Sequence, residues 1–420
     1  MFTLTMRFNT EVGTLSNKIL ETYNGIGVLN AFSAVPGAVR RFDTTNDEME
    51  RLATALALNR SWSLPIVSLV GNLCIVAVLY IGGGRVEAGT MTLGQLAAFT
   101  VYVNLLVTGL TTFGWMINAV QRGYLSLGRV YDILDAPLER ETVEAEVPEP
   151  ASRGFGVDVS HLTFAYPGAP DKPVLSDVSF HIEPGETVGI FGLTGAGKST
   201  LLNLLARVHD APPGAITLEG ADGARADLSR TPVRAWRSHV AYVPQEAFLF
   251  STSLRENVAL AEPGPTPDEA RVQSAVADAA LLDDLKALPE GLDTVVGERG
   301  ITLSGGQRQR AALARAWYKD FELLLLDDVM SAVDHATEKR LIEAVYRRSA
   351  HATTLIVSHR CSGRAKAQRV LVRDAGRLVA CDTHEALIQS PDGPYARAWR
   401  LQQAAQAIDA LDGNATDIAS

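Results

Sequence analysis

Two long uncharged segments limit what this chain can fold into. The first covers 24 residues, 61–84, and the second covers 34 residues, 88–121. A helix that spans a bilayer needs about 20 mostly apolar residues, so each segment is long enough to cross one. The sequence therefore predicts a membrane hairpin with helices over 62–83 and 92–120. The alternative is two helices buried in a soluble core, where uncharged runs of this length are rare.

The charges around the two segments predict their orientation. Arginines lie before and after the pair, whereas only Arg85 and Glu87 carry charge between them. Because positively charged loops stay on the cytoplasmic side, both ends of the hairpin are expected in the cytoplasm and Arg85 outside. The flanking arginines are Arg40, Arg41, Arg51, Arg60, Arg122 and Arg129.

Charge and cysteine content argue against a nucleic-acid-binding protein and against a disulfide-rich protein. The chain has 38 basic and 48 acidic residues and a net charge of −10, whereas a nucleic-acid partner requires a clustered basic face. Its 3 cysteines give no framework of disulfides. Residues 1–20 lack the apolar core of a secretion signal. Most of the basic residues are Arg, which is typical of GC-rich bacterial genomes.

The pattern along the chain divides it into four parts. A partial transmembrane domain with cytoplasmic helices is expected over 1–135, and a linker rich in proline and glutamate over 136–156. Short apolar strands alternate with helical stretches over 157–402, which predicts an α/β domain, and a polar tail follows over 403–420. Val35-Pro36-Gly37 predicts a turn within the first part.

A glycine-rich segment in the α/β domain matches a phosphate-binding loop. It lies between a short apolar strand over 187–191 and a helical pattern over 198–208, which is the context that such loops have. Lys198 is expected to reach the β- and γ-phosphates, and Ser199 to place its hydroxyl on Mg²⁺. The alternative is a glycine-rich turn before an ordinary helix. The loop consists of Gly192, Leu193, Thr194, Gly195, Ala196, Gly197, Lys198, Ser199 and Thr200.

An acidic motif follows a second apolar run. The leucines of 323–326 predict a strand buried on both faces, and Asp327 stands at its end. An aspartate there can hold Mg²⁺ through water, although aspartates at strand ends also serve as turn or helix caps. The pairing with the glycine-rich loop favours a site for ATP and Mg²⁺.

These motifs and six others, in matching order, resemble the ABC transporter superfamily, and specifically exporters that fuse the membrane and nucleotide-binding domains. The resemblance covers almost the whole chain. It implies a helical membrane domain, an α/β P-loop NTPase domain with a helical signature subdomain, and ATP hydrolysis coupled to export. The six further motifs are Phe164-Ala165-Tyr166-Pro167, Val243-Pro244-Gln245, residues 294–300, Leu303-Ser304-Gly305-Gly306-Gln307, Ser331-Ala332-Val333-Asp334 and Ser358-His359-Arg360.

The resemblance implies a role for each motif. Tyr166 would stack on adenine, Gln245 would contact Mg²⁺ and relay the nucleotide state, and His359 would meet the γ-phosphate. Residues 294–300 would touch the coupling helices. Asp334 would lie in the loop that bridges two nucleotide-binding domains.

The signature motif implies a dimer. Ser304, Gly305 and Gly306 are expected to begin a helix, whose N–H groups can bind a phosphate. In the family this motif, which here ends at Gln307, grips the γ-phosphate bound by the other subunit. Two ATP molecules then hold two domains together until hydrolysis releases them. The implied partners are a second ABC half-transporter, the lipid bilayer and an exported substrate, with no nucleic acid.

The membrane part resembles the family over a shorter stretch. Glu21, Gly25-Ile26-Gly27-Val28, Phe32 and Phe42 look like the region of the second coupling helix. The uncharged pair would then be the fifth and sixth membrane helices. The first three and part of the fourth would lie upstream of the given start, come from another chain, or be lost from a remnant. The expected location is the bacterial plasma membrane, with the ATP-binding domain in the cytoplasm.

Asp328 departs from the family, which places a glutamate here to polarise the attacking water. Aspartate is shorter by about 1.5 Å, and a misplacement of about 1 Å can cost on the order of 100-fold in rate. We therefore expect a heterodimer in which this chain's own catalytic residues, Asp328, His359 and Gln245, form a slow site. Its signature motif would complete the partner's site. The alternatives are a homodimer with two slow sites, a regulatory ATP-binding subunit, a soluble ABC ATPase and a remnant without transport activity.

Overall fold

Contacts between residues divide the chain into two units, Met1–Pro137 and Leu138–Ser420. In the described residues the first unit is helical, and the second combines helices with two β-sheets. This is the fold class that the sequence predicted. The computed structural model describes residues 2–136, 145–262, 267–297, 303–331, 333–358, 366–390, 393–401 and 403.

The described part of the first unit consists of helices, the last two of which form a long hairpin. These helices are α1 (Phe2–Asn24), α2 (Ile26–Ala31), α3 (Val35–Glu87) and α4 (Leu93–Leu134). Thr92 begins α4 through a capping box with Gln95, in which each residue's N–H donates to the other's side-chain oxygen. The two arms lie close together, since a Cβ on Gly71 of α3 would be 2.9 Å from Val107 Cγ1 of α4.

Both arms of the hairpin contain a stretch that is long and apolar enough to cross a membrane. These stretches are Ser68–Glu87 in α3 and Leu93–Leu110 in α4, with mean hydropathies of 1.7 and 1.5. Two adjacent helices of membrane-spanning length therefore lie where the sequence predicted them. The helices themselves extend beyond the predicted 62–83 and 92–120, because their charged flanks remain helical.

The turn predicted at Val35-Pro36-Gly37 is wrong. These residues form the first turn of α3, and the chain reverses just before them, where Ser33 has a φ of 51°. Proline is favoured at the start of a helix because its fixed φ is already helical and its missing N–H would have no partner there. The Pro-Gly pair here is therefore a signal for the start of a helix.

The second unit contains an antiparallel sheet and a mixed sheet. The described strands are β1 (Gly156–Phe164), β2 (Leu175–Ile182), β3 (Thr187–Gly192), β4 (Ile216–Glu219), β5 (Arg225–Asp227), β6 (Val240–Val243), β7 (Leu323–Asp327), β8 (Thr353–Val357), β9 (Arg369–Asp374) and β10 (Arg377–Asp382). The antiparallel sheet has the order β2-β1-β4-β5, and the mixed sheet has the order β10-β9-β3-β8-β7-β6. In the mixed sheet all neighbours are parallel except β10 and β9. The strands predicted over 187–191 and 323–326 are confirmed as β3 and β7.

Helices connect and cover these strands. The described helices of the second unit include α5 (Lys198–Leu205), α6 (Val233–Ser238), α7 (Leu254–Val258), α8 (Glu269–Asp278), α9 (Leu282–Leu285), α10 (Gly305–Tyr318), α11 (His335–Arg348) and α12 (His384–Ile388), and residues 394–401 are also helical. The helix predicted over 198–208 is three residues shorter than expected, because Arg207 adopts a φ of 52° that ends it. Short 3-10 turns lie at Ala221–Gly223, Leu228–Arg230 and Gly291–Asp293.

The central strands of the mixed sheet are buried on both faces. Leu323 and Leu325 of β7 join the cluster of buried residues around α5 and the antiparallel sheet, whereas Leu324 and Leu326 join the cluster around α8, α10 and α11. This alternation follows from the two-residue period of a strand. All residues of β7 are buried, as expected for a parallel strand covered on both sides. A ligand can therefore reach these strands only at their ends.

Candidate functional site

Several of the predicted site residues lie at one edge of the mixed sheet. Since β3, β8, β7 and β6 are parallel neighbours, their carboxyl ends share that edge. Gly192 ends β3, Asp327 ends β7, Ser358 follows β8 and Gln245 follows β6. The structure thus brings together the glycine-rich loop, the acidic motif and Gln245.

Two glycines of the loop adopt a conformation that other residues rarely take. Gly195 has a φ of 83° and Gly197 a φ of 78°. Gly197 is also crowded, because a Cβ there would lie 2.9 Å from Val174 O and 2.8 Å from Leu175 Cδ2. Position 197 therefore requires glycine for both conformation and space. This packing fixes the start of α5, where backbone N–H groups without helical partners can bind an anion.

Lys198 is buried, and its ammonium group lies within the loop. Its Nζ donates to Gly192 O at 2.8 Å and to Leu193 O at 3.1 Å. Both acceptors are carbonyls of the loop itself. Phosphate oxygens that enter the loop therefore find a cation already inside it.

An aromatic cluster lies against α5. The hydroxyls of Tyr166 and Thr200 are 3.0 Å apart, which ties Tyr166 to the loop. Its ring meets Phe164 and His209 edge-on, with centroid distances of 5.3 Å and 5.1 Å. Tyr166 is thus held beside the phosphate loop. The sequence analysis missed His209, because a lone histidine far along the chain gives no signal of this contact.

Asp327 lies at the end of β7 with 2% of its surface exposed. Tyr242, on the neighbouring strand β6, is affected by its charge. Burial and, to a lesser extent, the Asp327 carboxylate raise the pKa of Tyr242 above its ordinary value. Tyr242 therefore remains a neutral hydroxyl near the acidic motif at physiological pH.

Asp328 has a left-handed backbone conformation, with a φ of 51°, and is buried. Its N–H donates to Val357 O at 2.9 Å, and its carbonyl accepts from Gln309 Nε2 at 3.1 Å and from Ser331 Oγ at 3.0 Å. Aspartate adopts this conformation more readily than most residues, because its short polar side chain can bond locally. The Ser331 N–H also donates to this carbonyl at 3.3 Å, so four hydrogen bonds fix the backbone at this position.

Gln309 connects two of the predicted site residues, and the sequence analysis missed it. Besides the Asp328 carbonyl, its Nε2 contacts Gln245 O at 3.3 Å. Gln309 is 5% exposed and belongs to α10, the helix that follows the signature motif. A polar residue on the apolar face of that helix was the only signal available.

The signature motif forms the start of α10, as predicted. Ser304 is the N-cap and forms a capping box with Gln307, in which each N–H donates to the other side chain at 3.2 Å and 2.9 Å. Gln307 Nε2 also donates to Asp284 Oδ1 at 2.9 Å, and Arg310 pairs with the same carboxylate. The side chain of Gln307 is therefore fixed within this chain, and Gly305 and Gly306 begin the helix.

Not all of the predicted site residues meet. Within the part of the chain that the structure describes, no hydrogen bond joins the signature motif to the phosphate loop. Asp334 caps α11 by accepting from the Thr337 N–H at 2.9 Å, and bonding to Thr337 lowers the pKa of Asp334. His359, Ala332 and residues 298–300 lie outside the described residues.

Oxygen donors that suit Mg²⁺ lie at this edge of the sheet. They are the Ser199 hydroxyl near the start of α5, the Asp327 carboxylate and the Gln245 side-chain amide. Mg²⁺ prefers oxygen ligands and is commonly shared between one or two protein groups, water and phosphate. These residues fit that requirement. Over the described ranges, no three His, Cys, Asp or Glu side chains cluster as a metal site.

Fold and site together define a class: a P-loop nucleotide-binding unit fused to a helical unit with membrane-length helices. Residues 175–331 match the family model described as ABC transporter. Residues 4–110 match the model described as ABC transporter transmembrane region. The chain belongs to the ABC transporters that combine both regions in one polypeptide.

Two curated relatives illustrate this relationship. The probable multidrug resistance ABC transporter ATP-binding/permease protein YheI of Bacillus subtilis (strain 168) is 35% identical over 391 residues, which is 93% of this chain and 65% of the relative. The ATP-dependent lipid A-core flippase of Burkholderia orbicola (strain AU 1054) is 34% identical over 406 residues, which is 96% of this chain and 66% of the relative. The chain thus spans slightly less than two thirds of the length of these relatives.

A solved structure shares the fold. The structure of a bacterial Atm1-family ABC exporter with ATP bound matches with a TM-score of 0.82 and 29% sequence identity. The match covers 96% of this chain and 69% of that chain. It includes both units, so the helical unit and the nucleotide-binding unit each have the architecture of an exporter.

Proposed function

We propose that this protein is an ATP-binding and permease subunit of an ABC exporter in a bacterial plasma membrane. The observation that carries the proposal is the meeting of the phosphate loop and Asp327 at one sheet edge, in a chain that also contains two membrane-length helices. The first feature supports the use of ATP, and the second supports transport. The resemblance to exporters over both units favours outward movement of a substrate.

In the proposed ATP site, three groups of residues bind different parts of the nucleotide. Lys198 and the N–H groups at the start of α5 bind the phosphates, while Tyr166 stacks on the adenine ring. Ser199 and Asp327, with Gln245, would hold Mg²⁺, which would supply positive charge to neutralise the phosphates. His359 is assigned to the γ-phosphate by its motif alone.

The proposed assembly is a heterodimer with unequal sites. Asp328 replaces the family's glutamate, so the site on this chain hydrolyses ATP slowly. The signature motif, by contrast, begins α10 with its capping box intact. It is suited to complete the site of a partner that carries a glutamate.

ATP hydrolysis by the full chain in lipid nanodiscs tests the proposed activity. We expect a slow but measurable rate for the wild-type protein. Lys198→Ala removes the cation from the loop, and the rate should fall by about 100-fold or more. The control is Lys286→Ala, at an exposed lysine of the same unit that pairs with the exposed Asp283. Equal rates in wild type and Lys198→Ala would show that the activity belongs to another site.

A regulatory subunit that binds ATP without hydrolysing it is the second candidate function, and Asp328 is the observation that favours it. Equilibrium binding of ATP together with the hydrolysis rate separates the two. Tight binding of ATP by the wild-type chain alone, with no turnover above that of Lys198→Ala alone, would favour regulation.

The names of the relatives indicate which substrates to test first. One is named for multidrug resistance and the other for flipping lipid A-core. A lipid is amphiphilic, and the two apolar helices of this chain suit a substrate that enters from the bilayer. We propose an amphiphilic substrate for this protein, to be tested by ATPase stimulation with lipids and hydrophobic drugs.

A further inference from the structure

Arg373 is a buried arginine beside the phosphate loop that the proposed ATP site does not use. It lies near the end of β9, paired in register with Gly192, and is 2% exposed. Its Nη1 donates to Gly197 O at 2.8 Å, and its Nη2 donates to Gly376 O at 3.2 Å. Its Nε has no hydrogen-bond partner among the described residues, and no described carboxylate pairs with it. Burying an unpaired cation is costly, so a role for its charge has to be sought nearby.

The carbonyl that Arg373 contacts belongs to the peptide group that begins α5. Gly197 O also accepts from the Leu201 N–H at 3.1 Å, the first hydrogen bond of the helix, so both of its lone pairs are used. The other end of the same planar peptide group is the Lys198 N–H, which points in the opposite direction. Donation from a guanidinium to the carbonyl polarises the peptide group and makes that N–H a stronger donor.

The same arginine also connects the loop to its surroundings. Gly376, its second acceptor, lies in the turn between β9 and β10 with a φ of 79°. A Cβ on Gly376 would be 2.7 Å from Val174 O, the same carbonyl that crowds Gly197. Arg373 thus bridges two tightly packed glycines. Its loss would release the restraint on Gly197 even if the sheet remained intact.

We propose that Arg373 is a positioning residue of the phosphate site, which holds the Gly197–Lys198 peptide group so that its N–H binds a phosphate. The inference rests on the proposed binding of ATP. Burial lowers the pKa of Arg373 to about 10, so the side chain is still charged at neutral pH. Its contribution is to the affinity for the polyphosphate rather than for the adenine ring.

A second buried arginine of the same unit provides the control. Arg207, just beyond the other end of α5, is 3% exposed, and its Nε also has no hydrogen-bond partner among the described residues. It donates to the carbonyls of Ser229 and Thr231 and pairs with Asp210. Its replacement removes a comparable buried guanidinium without touching the loop.

The experiment measures the affinity of the full chain for ATP and for inorganic triphosphate, together with the unfolding temperature, in four variants. These are Arg373→Met, Arg373→Lys, Arg207→Met and Arg207→Lys. We expect each Arg373 variant to lower the affinity for ATP and the affinity for triphosphate by the same factor. That factor should be about fivefold to tenfold for Arg373→Met. It should be smaller for Arg373→Lys, which keeps the charge but loses the two-pronged guanidinium. The Arg207 variants should lower the unfolding temperature and leave both affinities unchanged.

Several outcomes overturn the inference. It is wrong if Arg373→Met binds both ligands as tightly as Arg207→Met does. It is also wrong if Arg373→Met has a lower affinity for ATP but an unchanged affinity for triphosphate. If either methionine variant does not fold, the comparison of Arg373→Lys with Arg207→Lys decides, because both retain a buried cation. A wild-type protein that binds neither ligand would overturn the proposed ATP binding, and this inference with it.

Discussion

At position 328 the chain combines a short carboxylate with a left-handed backbone. Four hydrogen bonds that involve the backbone N–H and carbonyl fix this conformation, so the side chain starts from a constrained point at the edge of the sheet. Aspartate fits that backbone better than glutamate does. If Asp328 has the proposed role of a base, the residue that shortens the reach towards a water molecule also relieves backbone strain. At this position, a side chain long enough to reach further would make the folded protein less stable.

Replacing Asp328 with Glu tests that opposition. We expect Asp328→Glu to hydrolyse ATP at least about tenfold faster than the wild-type chain alone, because the longer side chain restores the missing reach. It should also lower the free energy of unfolding by about 1 kcal/mol, since glutamate is less suited to a positive φ. Hydrolysis in nanodiscs and thermal unfolding measure the two effects.

Asp328→Asn is the matched control for this substitution. Asparagine suits the left-handed conformation and has the size of aspartate, so the stability of Asp328→Asn should equal that of the wild type. Its amide cannot act as a base. A wild-type rate as fast as that of Asp328→Glu would show that Asp328 is not an impaired base, and the idea of a slow site would be wrong.

At the scale of helices and strands, close packing in the hairpin depends on particular glycines. Gly71 faces Val107 of α4 so closely that even a methyl group would contact it at 2.9 Å. Gly84, on the same helix, has nothing within 4 Å of the equivalent position. Small residues allow membrane helices to approach each other, so Gly71 lies at the helix–helix contact and Gly84 does not.

The pair Gly71→Leu and Gly84→Leu tests this difference. Leucine at position 71 must push α4 away, because β-branched Val107 has little freedom to move, and this should destabilise the hairpin by about 1–3 kcal/mol. Leucine at position 84 meets open space and should change stability by less than about 0.5 kcal/mol. Thermal unfolding of the two variants in the same detergent measures the difference. Equal losses would mean that the two arms do not pack as described.

Local sequence patterns predicted those helices, strands and loops that form because of residues close together in the sequence. The leucine run before Asp327 and the glycine-rich loop before Lys198 each contain the apolar period or the backbone freedom that makes the element form. The start of α3 was misread for a related reason, since Pro36 can end one segment or begin the next. Nothing local decides between those two.

Contacts between distant segments could not be predicted in this way. Gln309 bonds the backbone at Asp328 and Gln245, and Arg373 bonds Gly197, only because the strand order brings these segments together. In sequence, Gln309 is one polar residue in a helix and Arg373 one charge at the end of a strand. The chemistry of the loop was therefore predictable, whereas the residues that hold it in place were not.

On the scale of the whole molecule, this chain carries two parts of an ATP site, the phosphate-loop side and the signature motif. The two parts differ in how well they match the family. In the proposed site, the phosphate loop and Asp327 bind ATP and Mg²⁺, and Asp328 is the shortened base. The signature motif, separately held by its capping box and by Asp284, has no such defect in the described residues. In the proposed dimer, where each signature motif serves the other subunit's ATP, we expect fast hydrolysis at the partner's loop.

That division makes an asymmetric prediction for the complex purified from native membranes. Ser304→Ala in this chain should reduce ATP hydrolysis by about 100-fold, because it removes a phosphate-binding hydroxyl from the partner's site. Asp328→Asn should leave the rate within roughly twofold, since this chain's own site contributes little. In a homodimer of slow sites, both substitutions would abolish hydrolysis.

A second capping box separates the loss of chemistry from the loss of a helix cap. Ser253 and Glu256 begin α7 in the same manner as Ser304 and Gln307 begin α10. Each serine-to-alanine change should cost about 1 kcal/mol of stability. If Ser253→Ala slowed hydrolysis as much as Ser304→Ala, the effect would come from weakened helices. A large loss for Ser304→Ala alone, with Asp328→Asn still active, requires that the signature motif of this chain acts on ATP bound elsewhere, which only a second, unequal subunit can provide.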